Sequence, residues 1–360
     1  MRTSNSSLLE IVARENTRLV IPAYQRAYSW KRRQCEELWL DIFRAARAEA
    51  RHFTGTLLYT LEAGEAGGAK RIAIIDGQQR ITSVSLIIAA LARYLDEHAA
   101  TVCGMTASDL RERYLLLEGD AAIPAKLVPS RRDRAPYLAI AQTSVAPECA
   151  PENLSSNLEF FSNLMEQADF DAEDLWRGLQ KLTVIAAEVD DADQAQLIFE
   201  SLNSKGLPLT TADLVRNYLL LAETHATQTR LFEEYWKPIE GMFVPDPGSL
   251  RLDNAIQGWL SVRFRKVRAH GPGEVYSVFK RYVEDDYTGT TEDLLRELRN
   301  FCLVWAENYR YHAVKKYRSA FSWAVNGAPT LTSGYTKKKA TNDEYARSWS
   351  KDLDRVDSSF

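Results

Sequence analysis

The chain has 360 residues, long for one domain and enough for two. Apolar residues make up 45% and charged residues 26%, the proportions of an ordinary globular protein, so wholesale disorder and fibrous classes are excluded. A formal charge of −4 excludes a globally basic nucleic-acid coat protein but leaves room for a local basic groove.

Cys35, Cys103, Cys149 and Cys302 lie far apart with no CxxC pair. That argues against a disulfide framework and against a thiolate zinc site. The first seven residues carry no apolar run of signal-peptide type. The most apolar stretch, Ile81 to Ala92, is about 12 residues, well short of the ~20 that span a bilayer. It reads as a buried helix. The expectation is a cytoplasmic protein with no membrane partner.

In chain order, Ser7 to Glu15 reads as a short helix and Arg18 to Tyr24 as a strand ending near Pro22. Ser29 is a candidate N-cap for a helix from Trp30 to about Ala50. Within it Cys35, Leu38, Trp39, Ile42, Phe43 and Ala46 recur at three- and four-residue steps and give one buried stripe. Phe53–Leu61 and Arg71–Ile75 read as strands joined by a glycine-containing turn, a hairpin. Asp76-Gly77-Gln78-Gln79-Arg80 follows, and then an apolar helix to about His98. From Ala100 onward prolines break short helical patterns, and Arg131, Arg132 and Arg134 form a basic knot. Lys181–Val189 reads as a further strand, closed by acidic residues that suit a helix over Gln194–Asn203. Gly206 is a helix stop, and Thr210 with Asp213 is a capping-box-like start for a helix to about Glu223. Leu231–Trp323 is helical in pattern, and the tail is polar.

Several common catalytic signatures are absent from the sequence. It contains no GxxxxGK[ST], no GxGxxG after a strand, no GxSxG and no HExxH. The histidines His52, His98, His225, His270 and His312 are scattered, so each reads as structural or surface.

Four constellations could carry chemistry. In IPAYQRAYSW, Gln25 donates and accepts, Arg26 offers a planar fork for phosphate, and Tyr24, Tyr28 and Trp30 offer flat faces for a base or a core. In Asp76–Arg80, the aspartate can hold Mg²⁺ or orient water, the glutamines can position water or phosphate oxygens, and Arg80 can neutralise charge. An elaborate helix cap is the competing reading. The segment from Phe199 to Tyr218 can gather Glu200, Asn203, Asp213, Arg216 and Asn217 through a helix–turn–helix, for chemistry or for capping. Arg263-Phe264-Arg265-Lys266-Val267-Arg268 interleaves basic and aromatic residues, as does Lys315–Arg318. Either is a phosphate-contacting surface or a solvated face.

The stretches IPAYQRAYSW, FTGTLLY, IIDGQQRITSVSLIIAAL and IFESLNSKGLPLTTADLVRNYLL resemble the GmrS-type N-terminal domain of the GmrSD family of modification-dependent restriction systems. They run in the family's order across roughly residues 8 to 223. The DGQQR signature is the most specific, and the Asn203–Leu214 pattern adds independent support.

The resemblance implies an α+β fold: a ParB/sulfiredoxin-like N-terminal domain with a small mixed sheet over residues 1–115, then a mainly helical domain over 116–360. It implies nucleoside triphosphate hydrolysis at DGQQR, often with GTP, and sensing of modified double-stranded DNA carrying glucosylated bases or phosphorothioate linkages. On this reading Asp76, Gln78, Gln79 and Arg80 are catalytic, Asp76 holds Mg²⁺, and Gly77, Gln25, Arg26, Asn203, Lys205 and Asp213 bind the nucleotide. Tyr24, Tyr28, Trp30, Lys31, Arg32, Arg263, Arg265 and Lys266 face DNA. The implied partner is an HNH-type nuclease domain or subunit, with a homo-oligomer as a further option. The C-terminal third shows no His-Asn-His arrangement, so the chain reads either as a piece of a longer protein or as a stand-alone sensing subunit. Two alternatives stay open: a DNA-binding module without turnover, and a ParB-like nuclease.

Overall fold

The computed structural model of the chain describes residues 2–48, 50–62, 69–117, 124–189, 209–221, 223–243, 252–263 and 271–307. The fold is α+β, divided into two compact units, Met1–Ser204 and Lys205–Phe360.

The first unit is built on a six-stranded sheet. Its strands are β1 (Arg2–Ser7), β2 (Thr17–Val20), β3 (His52–Glu62), β4 (Lys70–Asp76), β5 (Leu127–Val128) and β6 (Leu182–Glu188), in the order β1-β6-β3-β4-β2-β5. β3 and β4 form the expected antiparallel pair. β2 runs parallel to both β4 and β5, β6 runs parallel to β3, and β1 closes one edge antiparallel to β6. β5 and β6 come from beyond residue 115, within the stretch that prolines interrupt from Ala100 onward. β6 lies between β1 and β3, one strand in from the edge.

The helices of this unit are α1 (Leu8–Ala13), α2 (Arg32–Arg47), α3 (Gln78–Glu97), α4 (Ala107–Leu110), α5 (Arg131–Thr143), α6 (Glu152–Met165) and α7 (Ala172–Lys181). Leu57, Tyr59, Ile72, Ile74, Leu182, Val184 and Ala186 point from one sheet face into a single core with α1, α2, α3, α6 and α7. The alternate positions Leu58, Ala73, Ile75 and Ala187 are buried too. Strands buried on both faces read as continuous apolar runs, which is why Ile72–Ile75 shows no alternation. The helix α3 is buried around nearly its whole circumference. Complete burial is worth about 1.5–3 kcal/mol for each large apolar side chain, but it also forces the Thr82, Ser83 and Ser85 hydroxyls inside. Thr82 satisfies its own hydroxyl by donating to the Gln78 carbonyl at 2.8 Å, and Ser83 Oγ meets the Tyr28 hydroxyl.

One local expectation shifts, and one strand was not expected. The helix predicted from Trp30 begins at Arg32, because Lys31 is extended (φ −103°, ψ 174°) and serves as the N-cap, while the Ser29 and Trp30 N–H groups bond Gln79. β1 was not legible, since RTSNSS has no apolar alternation and its pairing with β6 rests on backbone hydrogen bonds.

The second unit is helical where described: α8 (Thr211–Leu221), α9 (His225–Leu231), α10 (Lys237–Gly241), α11 (Leu252–Arg263), α12 (Pro272–Arg281) and a helix over residues 291–307. Trp236, Trp259, Phe279 and Phe301 are its largest buried side chains. The predicted capping box forms, with the Thr210 N–H on Asp213 Oδ2 at 3.3 Å and the Asp213 N–H on Thr210 Oγ1 at 3.1 Å. The helix expected over Gln194–Asn203 lies outside the described residues. No described helix is long and apolar enough to cross a membrane.

Candidate functional site

β2, β4 and β5 run parallel, so their C-terminal ends share one edge of the sheet. Ligands of open α/β sheets bind beyond such ends, where the chain leaves for the next helix. β4 ends there at Asp76. Gly77 then turns the chain in the left-handed region (φ 98°, ψ 2°) and serves as the N-cap of α3. A side chain at this position would also be crowded, since a Cβ would come within 2.9 Å of Leu57 Cδ1. Glycine is therefore demanded twice at the elbow.

Three charged groups meet at the elbow. Burial pushes the Asp76 carboxyl above its ordinary pKa, opposed by the guanidinium of Arg80, the Gly77 N–H and, more weakly, Arg26. Burial likewise lowers the pKa of Arg80, and Asp76 opposes that shift. Arg80 is further held by its Nη1 donating to the Thr56 carbonyl at 3.2 Å. Two guanidinia thus act on one desolvated carboxylate at the N-terminus of a 20-residue helix, whose dipole adds positive potential.

The two glutamines do different things. Gln78 is 6% exposed. Its Nε2 donates to Gln25 Oε1 at 3.2 Å, and Gln25 Nε2 donates to the Ile75 carbonyl at 3.0 Å. Gln78 Oε1 is buried and has no partner. A buried acceptor left unbonded costs about 1–3 kcal/mol, so it is poised for a donor from a ligand or water. Gln79 is saturated instead. Its Oε1 accepts from the Ser29 N–H at 2.8 Å and the Trp30 N–H at 3.2 Å, and its Nε2 donates to the Ala27 carbonyl at 3.4 Å. Gln79 clamps the loop after β2 onto the first turn of α3.

That loop is pinned from several sides. The Tyr28 hydroxyl meets Ser83 Oγ at 2.7 Å, Cys35 Sγ at 3.4 Å and Asn157 Nδ2 at 3.2 Å. Asn153 donates to the Tyr28 carbonyl at 3.3 Å and Asn157 to the Trp30 carbonyl at 2.8 Å. The Tyr28 N–H donates to Asp133 Oδ2 at 2.6 Å. Tyr24 and Tyr28, expected to face DNA, are 2% and 6% exposed and lie in the protein interior. Their ring faces are occupied by packing. Trp30 is half-buried against the core, while Lys31 and Arg32 are exposed, with Arg32 over the Phe160 ring at 5.1 Å.

In the second unit, Asp213 and Arg216 form an ion pair at 2.7 Å, and Arg216 also pairs with Glu240 at 2.6 Å. Arg263 pairs with Glu297, which also accepts from Trp259 Nε1. Asn203, Lys205, Arg265 and Lys266 lie outside the described residues.

Among the described residues, no group of three or more His, Cys, Asp or Glu side chains could hold a metal ion by itself. Mg²⁺ needs less, because it binds through one or two carboxylates together with substrate phosphates. Asp76 is the carboxylate at the elbow that could take such a role, where Mg²⁺ would neutralise phosphate charge.

Sequence reasoning missed Gly55, Asp133, Asn153 and Asn157. Gly55 had a signal, since a glycine inside a strand marks a bulge or a close approach. It sits where the register of β3 against β6 shifts. The asparagines had none.

A family model described as GmrSD restriction endonuclease, N-terminal domain, matches residues 8–220. The match takes in the elbow, the loop after β2 and nearly all of α8. No curated protein matches the chain.

Proposed function

The chain belongs to the GmrSD restriction endonuclease family through its N-terminal domain, and on that premise we propose that it is the nucleoside-triphosphate-hydrolysing sensor of a modification-dependent DNA restriction system, with GTP as the nucleotide. The observation that carries this reading is the unpartnered, buried Gln78 Oε1 on the first turn of α3, beside the desolvated Asp76 on which the Arg80 and Arg26 charges act. Guanidinia match phosphate oxygens in geometry and charge, and a helix N-terminus adds N–H donors.

In this reading the triphosphate lies against the first turn of α3. Arg80 and Arg26 balance the charge that develops on the phosphoryl oxygens. Asp76 orients the attacking water and is the residue that would hold Mg²⁺ if it binds with the nucleotide. Gln78 Oε1, lacking a partner inside the protein, accepts from that water or from the nucleotide. Water attacks the γ-phosphorus, the bond to the bridging oxygen breaks, and nucleoside diphosphate and inorganic phosphate leave. Gln79 serves by placing the loop that carries Gln25 and Arg26. Modified duplex DNA and an HNH-type nuclease are the proposed partners, with Lys31 and Arg32 as the exposed basic contacts of this unit.

The test is phosphate release from ATP, GTP, CTP and UTP, with and without modified duplex, by the parent and by Arg80→Ala. Turnover in the parent and its loss in the variant, with the fold kept, supports the reading. Duplex binding that ignores nucleotide, with no phosphate released, makes the protein a binding module instead.

A further inference from the structure

Asp133 breaks a local rule. It stands at the third position of α5, three residues after the N-cap Ser130, where an acidic side chain ordinarily reaches back to cap its own helix. No side-chain cap forms there. The carboxylate crosses to another element and accepts the Tyr28 N–H at 2.6 Å, a bond spanning 105 residues of sequence. Ser130 Oγ approaches the same oxygen at 3.5 Å. Asp133 is 1% exposed, and its other oxygen, Oδ1, is buried without a partner. A buried carboxylate half satisfied is unfavourable on stability grounds alone, and such local conflicts mark functional positions.

What the bond holds explains its position. Tyr28 lies two residues beyond Arg26 and three beyond Gln25. β5 lies beside β2, with the Ile21 N–H on the Val128 carbonyl at 2.9 Å, so the chain leaving β5 for α5 runs next to the loop leaving β2. Gln79 of α3 grips the loop at Ala27, Ser29 and Trp30, and Asp133 of α5 grips it at Tyr28 between those points.

We propose that Asp133 is a positioning residue: by anchoring the Tyr28 backbone to α5 it fixes the loop that presents Gln25 and Arg26 to the elbow. Its functional consequence rests on the triphosphate reading above. Its structural content does not.

The test uses the full chain and hydrogen–deuterium exchange over residues 24–31. Asp133→Ala should raise exchange across this segment by about tenfold or more, the size expected when a hydrogen bond to a charged group is lost, while α3 keeps its protection. Asp133→Asn retains an acceptor oxygen and should restore near-parent exchange. With GTP and Mg²⁺ as the probe, Asp133→Ala should lower kcat/KM about tenfold, with kcat itself falling, because Arg26 acts on charge that develops in the transition state. Unaltered exchange in Asp133→Ala, or no restoration by asparagine, overturns the proposal. If the parent binds no GTP, the triphosphate reading fails while the exchange result still decides the role of Asp133. If Asp133→Ala does not fold, the Tyr28 amide proton resonance decides. It should lie downfield in the parent and move upfield in Asp133→Asn, and an unmoved resonance overturns the proposal.

Discussion

The Arg80 guanidinium occupies the space over Gly55, where a Cβ would come within 2.6 Å of Nη2. Gly55 also adopts φ 119°, a conformation that side chains resist. One residue of β3 therefore decides where the arginine of the elbow can rest. Gly55→Ala is expected to cost about 1–3 kcal/mol from backbone strain and to displace the guanidinium. Turnover should fall nearly as far as in Arg80→Ala, which itself loses stability because the buried Asp76 carboxylate is left less compensated. Denaturant melts and phosphate release on both variants check this. Full turnover in Gly55→Ala would remove Arg80 placement from the account.

The glutamines should separate. Gln79→Ala leaves the Ser29 and Trp30 N–H groups without their acceptor and should destabilise by about 1–3 kcal/mol. Gln78→Ala removes an acceptor that has no partner in the protein, so it should cost less stability and more turnover. Thermal melts beside turnover measurements give the comparison. Equal effects of the two variants on both readouts would refute the division of roles.

The pH dependence follows from two buried acids. Burial raises the Asp76 and Asp133 carboxyls above the ordinary range. A carboxyl whose pKa is higher in the fold than in the unfolded chain contributes stability that is complete below its unfolded value, near ~4, and is lost as pH rises through the folded value. Asp76→Asn escapes that loss. Relative to the parent it should gain stability between about pH 4 and neutrality while losing turnover. A stability difference that stays flat across this range would contradict the burial of a charged Asp76.

Tyr28 should behave as a core residue. Tyr28→Phe removes the hydroxyl that Ser83 and Asn157 share and is expected to cost about 1 kcal/mol. Lys31→Ala and Arg32→Ala should instead weaken duplex binding at low salt and reduce the salt slope by about 1 each. Binding titrations over a salt series distinguish these outcomes.

The elbow was legible as a candidate site because it concentrates polar residues between two apolar runs. Ile72–Ile75 before it and Ile81–Leu91 after it are buried runs, so Asp76–Arg80 stands out as a polar interruption inside the core, with Gln78 and Gln79 themselves buried. The hairpin and the Thr210–Asp213 cap were readable from local pattern. The separate duties of Gln78 and Gln79 were not, because neighbouring helix positions point about 100° apart and their partners come from residue 25 on one side and residues 27–30 on the other. The reach of Asp133 to Tyr28 was likewise invisible, since its spacing from Ser130 matches an ordinary cap. The tyrosines of IPAYQRAYSW fit a core or a surface equally well by sequence, and only the packing of Asn157, Ser83 and Cys35 around Tyr28 decides.

The central claim is that the cluster at Asp76, Arg80 and Arg26 grips a triphosphate. Calorimetric titration of GTP with Mg²⁺ into the parent and into Arg80→Ala tests it most directly. The account predicts saturable binding to the parent and binding at least about tenfold weaker in the variant, the effect of losing one charge-assisted contact of about 1.4 kcal/mol or more. Absence of binding to the parent with GTP, ATP, CTP and UTP alike, or equal affinity in the variant, would contradict it.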